Sequence, residues 1–463
     1  MRAKLGFTFC LAISSPALHA EDWPSFRGVG GTGLAADSGF ATSWSNDKNI
    51  AWTAKVAGRG WSCPIVLKDK VIVTSASSSQ DGAGRPMGGG GGGRPGGGGG
   101  GSRSAPDVAY KFEVSCFDLA TGKELWKKLA LEAKPKIPTH GSNTYASETP
   151  ASDGERIYCY FGMTGLFCYD LEGKLLWKKD LGSFPMMMSW GTSSSPVAGN
   201  GRVYLQIDNE EKSFLVALDG KTGDELWRAD RSDKSSWASP ILWKNKTRTE
   251  LVTVAPQKAR SYDPVTGKVL WELSLGGGRC SASPVADADH VYVGLGGGGG
   301  GRPGGGGGPP GGGGRGEGGA LFAVKAGASG DITPKSGETK SDGVAWATPK
   351  AGPPMASPLV YRGHIYILDQ NGGTISCYDT ATGKPDYQKE RLPNVRTFWA
   401  SPWAYDGKIF CLDDSGTTHI VAAGQKFELL GKNTLNDTTW CTPALVNGTV
   451  LIRGVKEIYA IRQ

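Results

Sequence analysis

One short pattern recurs along this chain and limits what it can fold into. A small, hydroxyl-bearing or cysteine residue precedes a proline, and apolar residues follow. Pro196, Pro240 and Pro284 come at intervals of 44 residues. The prolines of the eight copies are Pro64, Pro150, Pro196, Pro240, Pro284, Pro358, Pro402 and Pro443. A period of this length predicts a repeat architecture, in which each unit buries its hydrophobic face against its neighbours.

The residue pattern of the repeat predicts four short strands per copy and no helix. The last turn and strand are recognisable in "CFDLATGKELW" (116–126), "ALDGKTGDELW" (217–227) and "SYDPVTGKVLW" (261–271). In each segment the Asp side chain can accept turn amides and the Gly supplies a positive φ. We expect the final Trp to cover the sheet of the next unit. Four strands per unit, eight times over, predict an all-β, eight-bladed β-propeller of four-stranded antiparallel blades.

The last copy is incomplete, which predicts how the ring closes. After Pro443 the sequence provides only two further strand-like segments, 449–452 and 458–461. The segment "NIAWTAKV" (49–56) can supply the missing fourth strand, with Trp52 as its terminal aromatic residue. We therefore expect the N-terminal and C-terminal segments to pair, which leaves no open sheet edge.

The first twenty residues have the layout of a Sec-type signal peptide. Arg2 and Lys4 precede an apolar run over 5–13, and a small-residue segment ends at Ala20. This layout predicts an exported or periplasmic protein with a propeller over 21–463. We expect it to be soluble, because no later apolar run is long enough to span a membrane, and monomeric. The formal net charge of +7 is small for 463 residues and does not predict nucleic-acid binding.

Two glycine-rich tracts interrupt the regular spacing of the repeats. They cover residues 82–103 and 294–319 and contain little besides glycine, arginine and proline. Such segments cannot bury apolar surface, so we expect flexible insertions. By their position they fall between the second and third strands of blades one and five.

The Ala-x-Asp-x-x-Thr-Gly-x-x-x-Trp unit of 217–227 resembles the tryptophan-docking repeat of pyrroloquinoline-quinone (PQQ) propellers. The resemblance covers nearly the whole mature chain and implies two function classes. One is the non-enzymatic scaffold, similar to BamB-type outer-membrane assembly factors. The other is the quinoprotein dehydrogenase, in which PQQ lies against a disulfide between adjacent cysteines and calcium accompanies an Asp base.

The sequence departs from the dehydrogenase pattern. It has no two adjacent cysteines and no haem-binding Cys-x-x-Cys-His segment. We therefore expect a scaffold that binds a protein partner in the cell envelope, with no cofactor and no catalytic residue. A PQQ- or calcium-binding oxidoreductase remains the alternative, as does a propeller that binds carbohydrate through its tryptophans.

Nine cysteines occur in the chain, and eight of them follow the predicted signal peptide. An even number in an oxidising compartment is compatible with disulfides. The repeat alignment instead places them where other copies have small core residues. Only Cys159 and Cys168 could pair, across a hairpin, and no cysteine spacing predicts a zinc site.

Aligning the copies on their prolines predicts a candidate binding site. Three positions before the proline, four copies carry tryptophan, namely Trp61, Trp237, Trp399 and Trp440. The strand that opens a propeller blade lines the central channel, so these residues should lie near its mouth. Arg59, Arg279 and Arg396 should lie just outside them. The tryptophans either pack between blades or form an aromatic binding surface.

Glu148 is the exception in the next alignment column. Two positions before the proline, every other copy has Ser, Ala or Cys. A carboxylate there is either half of a buried salt bridge or a contact to a ligand or cation at the channel, which makes it a weak candidate metal ligand. By sequence, the possible ion-pair partners are His140, Arg156, Arg59 and Arg279. No other metal ligand is predicted.

Overall fold

The computed structural model of the protein describes residues 22–35, 39–79, 104–296, 319–370 and 372–463. The predicted signal peptide and nearly all of the two glycine-rich insertions lie outside these ranges. The described residues form 33 strands in eight sheets and two short 3-10 helices, Val29–Gly31 and Met187–Ser189. The prediction of an all-β, eight-bladed propeller is confirmed. No described helix has the length and apolar character needed to cross a bilayer.

The first four blades follow the chain in order. Blade one contains β2 (Ile65–Leu67), β3 (Lys70–Ser78), β4 (Tyr110–Asp118) and β5 (Glu124–Ala133). Blade two contains β6 (Ala151–Ser152), β7 (Arg156–Phe161), β8 (Gly165–Asp170) and β9 (Leu175–Lys179). Blade three contains β10 (Val197–Gly199), β11 (Arg202–Ile207), β12 (Ser213–Asp219) and β13 (Glu225–Arg231). Blade four contains β14 (Ile241–Lys244), β15 (Thr249–Val254), β16 (Lys258–Tyr262) and β17 (Val269–Ser274), with the short β21 (Gly330–Asp331) parallel to β17.

The other four blades complete the ring. Blade five contains β18 (Val285–Ala286), β19 (His290–Gly294), β20 (Leu321–Lys325) and β22 (Val344–Thr348). Blade six contains β23 (Leu359–Tyr361), β24 (His364–Leu368), β25 (Thr374–Asp379) and β26 (Pro385–Arg391). Blade seven contains β27 (Trp403–Tyr405), β28 (Lys408–Leu412), β29 (Thr417–Ala422) and β30 (Leu429–Thr434). Blade eight contains β31 (Ala444–Val446), β32 (Thr449–Arg453), β33 (Glu457–Ile461) and the N-terminal β1 (Ile50–Lys55).

The ring closes as the sequence predicts. β1 pairs antiparallel with β33, and Trp52 lies opposite Ala460. The two glycine-rich insertions connect β3 to β4 and β19 to β20, which are the second and third strands of blades one and five. Gly294 still belongs to β19, so the second insertion starts after the predicted position.

Tryptophan docking explains the Thr-Gly step of the repeat. The Nε1 atom of Trp52 donates to the carbonyl oxygen of Leu119 in blade one at 2.9 Å. Gly122 lies under the same indole with φ 72°, and a Cβ there would come within 2.5 Å of the ring. The same pairing recurs for Trp126 with Gly173, Trp177 with Gly223, Trp227 with Gly267 and Trp346 with Gly383. Glycine is therefore required both for the left-handed backbone and for the approach of the docked ring.

Three blade junctions depart from this arrangement. Trp271 of blade four donates its Nε1 proton to Glu250 of its own blade at 2.8 Å. Blade six ends in Tyr387 in place of tryptophan, and β30 of blade seven contains no aromatic residue.

All eight cysteines in the described ranges are free and buried. The disulfide considered between Cys159 and Cys168 does not form. Cys159 lies opposite Phe167, and Cys168 lies opposite Tyr158, in adjacent rows of the same hairpin. Adjacent residues of a strand point to opposite faces of the sheet, so the two sulfur atoms lie on different sides of blade two.

Candidate binding site at the channel mouth

The extended segment before each proline forms the wall of the central channel. Side chains alternate along extended backbone, so the third and first residues before the proline face the channel and the second faces away. The third residues form the outer ring, which consists of Trp61, Ser147, Ser193, Trp237, Ser281, Met355, Trp399 and Trp440. The first residues form the inner ring, which consists of Cys63, Thr149, Ser195, Ser239, Ser283, Ser357, Ser401 and Thr442. All sixteen line one cavity of about 380 Å³.

The inner ring is joined by hydrogen bonds between neighbouring blades. The backbone N–H of each member donates to the side-chain hydroxyl of the next, from Cys63 to Thr149 at 3.0 Å and onwards to Thr442. The seven bonds measure 2.9–3.0 Å. Cys63 alone carries a thiol in place of the hydroxyl. The ring both ties the blades together and surrounds the channel axis with hydroxyl groups.

The outer ring presents a continuous aromatic arc over blades seven, eight and one. The Trp399 and Trp440 rings stack with centroids 4.7 Å apart, and those of Trp61 and Trp440 stack at 4.5 Å. Across the cavity, Trp190 contacts Trp237 at 5.4 Å. Five indoles therefore line the same cavity. The arrangement is compatible with both predicted roles, because the rings pack between blades and also form part of the cavity wall.

Two basic side chains, those of Arg279 and His140, lie in the cavity wall. The Arg279 guanidinium lies over the Trp190 ring, 4.8 Å from its centroid. His140 also lines the cavity and hydrogen-bonds through Nδ1 to the hydroxyl of Ser142 at 2.6 Å. The described residues that line the cavity include no carboxylate. The site is therefore suited to a ligand that offers negative charge and a flat apolar surface.

The structure brings together most of the residues that the sequence singled out. Trp61, Trp237, Trp399, Trp440 and Arg279 line the cavity. The two remaining arginines lie apart from it. The backbone of Arg59 pairs with Ala76, and the exposed Arg396 side chain donates to Asp414 at 2.5 Å through Nη2.

Glu148 lies behind the channel wall, because it occupies the alternate position. Its side chain is 2% exposed, and among the described residues its Oε1 has no hydrogen-bond partner. Oε1 lies against Gly162. A Cβ atom added at position 162 would be 2.2 Å from this oxygen. Burial raises the pKa of this carboxyl to about 7.

The salt bridge considered for Glu148 is not formed. Arg156 pairs with Asp153 at 2.8 Å and with Glu155 at 3.0 Å, and Arg279 lies over Trp190. Sequence reasoning identified a carboxylate in an unusual column. The sequence could not show that, within the described ranges, no basic side chain pairs with this carboxylate in the folded protein.

The N-terminal segment closes the other end of the channel, a feature that sequence reasoning missed. The backbone of Trp23 pairs with Val66 in blade one, and Leu34 bridges to Ala404 in blade seven. Between them Phe26 reaches the floor of the cavity. We call residues 22–34 the plug. A second space of about 150 Å³ lies between the plug and blades two to five.

The plug carries a buried cation. Arg27 is 1% exposed, and burial lowers its pKa to about 9. Its Nη2 donates to the Thr32 carbonyl at 3.2 Å, whereas Nε and Nη1 have no hydrogen-bond partner in the described parts of the chain.

The lining residues do not fit a calcium-dependent quinone site. Calcium requires six to eight oxygen ligands, with carboxylates among them. The described cavity wall supplies hydroxyl groups and indoles but no carboxylate. The adjacent cysteines of the quinoprotein pattern are also missing from the sequence.

Comparison with known proteins confirms the predicted resemblance at the level of the fold. Residues 111–299 match the profile of a family described as outer membrane protein assembly factor BamB. No curated protein matches the sequence. The chain is similar in structure to BamB from Moraxella catarrhalis, with 10% identity, a TM-score of 0.55, and coverage of 89% of this chain and 97% of that one.

Quinohaemoprotein alcohol dehydrogenases are similar to the same extent. The enzyme from Comamonas testosteroni has 12% identity and a TM-score of 0.59, over 96% of this chain and 80% of that one. The enzyme ADHIIG from Pseudomonas putida HK5 has 10% identity and a TM-score of 0.54, over the same shares of the two chains. The chain therefore has the eight-bladed propeller fold shared by BamB and the quinohaemoprotein alcohol dehydrogenases.

Proposed function

We propose that this protein is an exported, non-catalytic propeller that binds a segment of a partner protein in the cell envelope at its channel mouth. The observation that carries the proposal is the cavity of about 380 Å³ with five indoles in its wall. Tryptophan is enriched among the residues that dominate binding energy at protein interfaces. The plug covers the opposite end of the channel, so a partner would enter from the mouth.

The charge of the wall favours an acidic partner segment. Arg279 and His140 line the cavity, and the whole chain carries a formal charge of +7. A segment with an aromatic or proline side chain next to Asp or Glu would stack against the indoles and bring its carboxylate to the basic part of the wall.

Two further observations support action in the cell envelope. The first twenty residues have the layout of a signal peptide, and residues 111–299 match a family named for outer membrane assembly. The family name supports the scaffold class over the oxidoreductase class. The lining residues support the same choice, because they do not fit calcium with a quinone.

Filling the cavity tests the proposal directly. Ser281 belongs to the outer ring, and four other members of that ring are tryptophan, so Ser281→Trp should fold. Lys340→Trp, at an exposed position of a surface loop, is the matched control. Each variant would be used to isolate partners from the envelope fraction, with identification by mass spectrometry. We expect the same acidic protein with the wild type and Lys340→Trp, and its loss with Ser281→Trp. Undiminished recovery with Ser281→Trp would contradict binding at the mouth.

The oxidoreductase class has its own test. A ligand that binds only the native state raises the melting temperature. We expect PQQ with calcium to leave the melting temperature unchanged. Saturable stabilisation together with dye-linked alcohol oxidation would replace the scaffold proposal with an enzyme.

A further inference from the structure

Blade six contains a cluster of three different metal-ligand types on three adjacent strands. His364 begins β24, Cys377 lies in β25, and Asp386 lies at the start of β26. Their ligand atoms all lie within 4.8 Å of one another. The Nδ1 atom of His364 is 2.9 Å from Oδ2 of Asp386, and Sγ of Cys377 is 3.6 Å from the same oxygen.

We propose that His364, Cys377 and Asp386 form a binding site for Zn²⁺ or a similar borderline transition-metal ion. Zinc binds cysteine sulfur at about 2.3 Å and histidine nitrogen or carboxylate oxygen at about 2.0–2.2 Å, in tetrahedral geometry. Ligand atoms around such an ion lie roughly 3.3–3.7 Å apart, which follows from those bond lengths. The cluster needs only small side-chain movements to reach this spacing.

The neighbouring blade can supply the fourth ligand. The carbonyl oxygen of Gly424, in the β29–β30 connection of blade seven, lies 3.7 Å from Sγ of Cys377. A three-ligand zinc site otherwise completes its coordination with water. The side chains of His364 and Asp386 are 13% and 12% exposed, which gives an ion access from solvent.

The site occurs where tryptophan docking is missing. In the repeats, Leu125 and Leu226 hold the position of Asp386, and Trp126 and Trp227 hold that of the next residue, Tyr387. The hydroxyl of the buried Tyr387 has no hydrogen-bond partner in the described parts of the chain. Blade six therefore departs from the repeat at two consecutive positions. Both lie beside Cys377, whose alignment column holds small core residues in most of the other copies. A metal ion there would join blades six and seven where the indole contact is absent.

Metal binding must be coupled to proton release. Burial and the charge of Asp386 raise the pKa of the Cys377 thiol, so the sulfur holds its proton in the metal-free protein. Zinc binds the thiolate, and the displaced proton passes to solvent.

Cobalt titration of the full mature chain tests the site. Tetrahedral Co²⁺ bound to thiolate gives a charge-transfer band and visible d–d bands, with one equivalent expected per chain. Cys377→Ser and Asp386→Leu should each weaken binding on the order of a hundredfold or more, and Asp386→Leu restores the residue of the other repeats. Cys168→Ser, in the same column of blade two, should bind like the wild type.

The outcome separates a metal site from a hydrogen-bonded cluster. Bands that Zn²⁺ displaces, and that the two site variants lose while still melting cooperatively, support the proposal. Absence of bands in the folded, reduced wild type would overturn it, as would equal bands in Cys377→Ser. Either result leaves the proposed partner binding untouched, because the channel mouth uses none of these residues.

Discussion

The two ends of the central channel differ in how they are built and in the partners of the buried arginine near each end. At the mouth, the buried Arg453 donates through Nη1 to the carbonyl and hydroxyl oxygens of Ser62 at 2.9 and 2.5 Å. At the closed end, the side chain of the buried Arg27 makes one hydrogen bond within the described residues, to the carbonyl oxygen of Thr32. The mouth is a repeat-built wall with an accessible cavity, whereas the closed end depends on a segment from outside the repeats. The difference indicates that the repeats build the ring, whereas a segment outside the repeats closes one end of its channel.

The largest effect should come from removing the plug together with the closing strand. Deleting residues 21–56 removes β1 and leaves β33 without its partner strand. An unpaired edge promotes association between chains, so we expect aggregation or loss of cooperative melting. Deleting only 22–34 keeps β1 and should retain a cooperative transition. A 21–56 deletion that melts like the full chain would contradict closure through paired chain ends.

Glu148 should produce the next largest effect, and that effect depends on pH. Its pKa is raised from 4.5 to about 7 in the folded state. Below pH 4.5 both states hold the proton and the group has no effect. Between pH 4.5 and about 7, the unfolded state loses this proton while the folded state keeps it. The free energy of unfolding therefore falls by about 3 kcal/mol as the pH rises to 7 and above.

Glu148→Gln should therefore be more stable than the wild type by about 3 kcal/mol above pH 7 and equal to it near pH 4. Urea unfolding at both pH values measures this difference, and the exposed Glu155→Gln is the control. If Glu148→Gln is less stable at pH 8, the carboxylate has a cation partner and the structural account of this residue is wrong.

The two buried arginines test the contrast between the channel ends. Arg27 has no acidic partner among the described residues, and replacing such a buried charge by an apolar side chain of similar length removes a desolvation cost, so Arg27→Met should stabilise by about 2 kcal/mol. Arg453→Met should destabilise, because it leaves the Ser62 carbonyl without its donor. Thermal melting of both variants measures the contrast. Equal losses of stability would show that Arg27 has a partner equivalent to that of Arg453.

The smallest effect should come from the inner ring. Ser239→Ala removes the acceptor for the backbone N–H of Ser195 and should cost about 1 kcal/mol. Ser193→Ala, in the outer ring, should be close to neutral. Chemical denaturation of the two variants compares the rings, and a larger loss for Ser193→Ala would contradict the assignment of the inner ring as the tie between blades.

The repeat made most of the fold predictable, because spacing and turn chemistry recur eight times. Trp52 predicted ring closure, and the alignment on prolines placed Trp61 and Trp440 at the mouth. The plug was not predictable, since residues 22–34 match no part of the repeat. The inner ring was visible only as the small residue before each proline. Its function as a hydrogen-bonded ring depends on contacts between blades, which the sequence of one repeat does not show.

The cluster in blade six was missed for a related reason. Sequence spacing predicts zinc sites when ligands lie close together in the chain, whereas His364 and Asp386 are joined only by strand pairing across β25. The usable signal was the change from the repeat at Asp386 and Tyr387, where other copies have Leu and Trp. The absence of a cation beside Glu148 within the described ranges was hidden in the same way, because burial and neighbours follow from packing between blades.

Site-specific photo-crosslinking in the native envelope tests the central claim most directly. A photoreactive phenylalanine would replace Met355 in the outer ring or, as the comparison, Val29 on the exposed surface of the plug. The account predicts a discrete cross-linked partner from position 355, absent from position 29 and abolished by Ser281→Trp. A partner captured from position 29 and not from position 355 would contradict binding at the channel mouth.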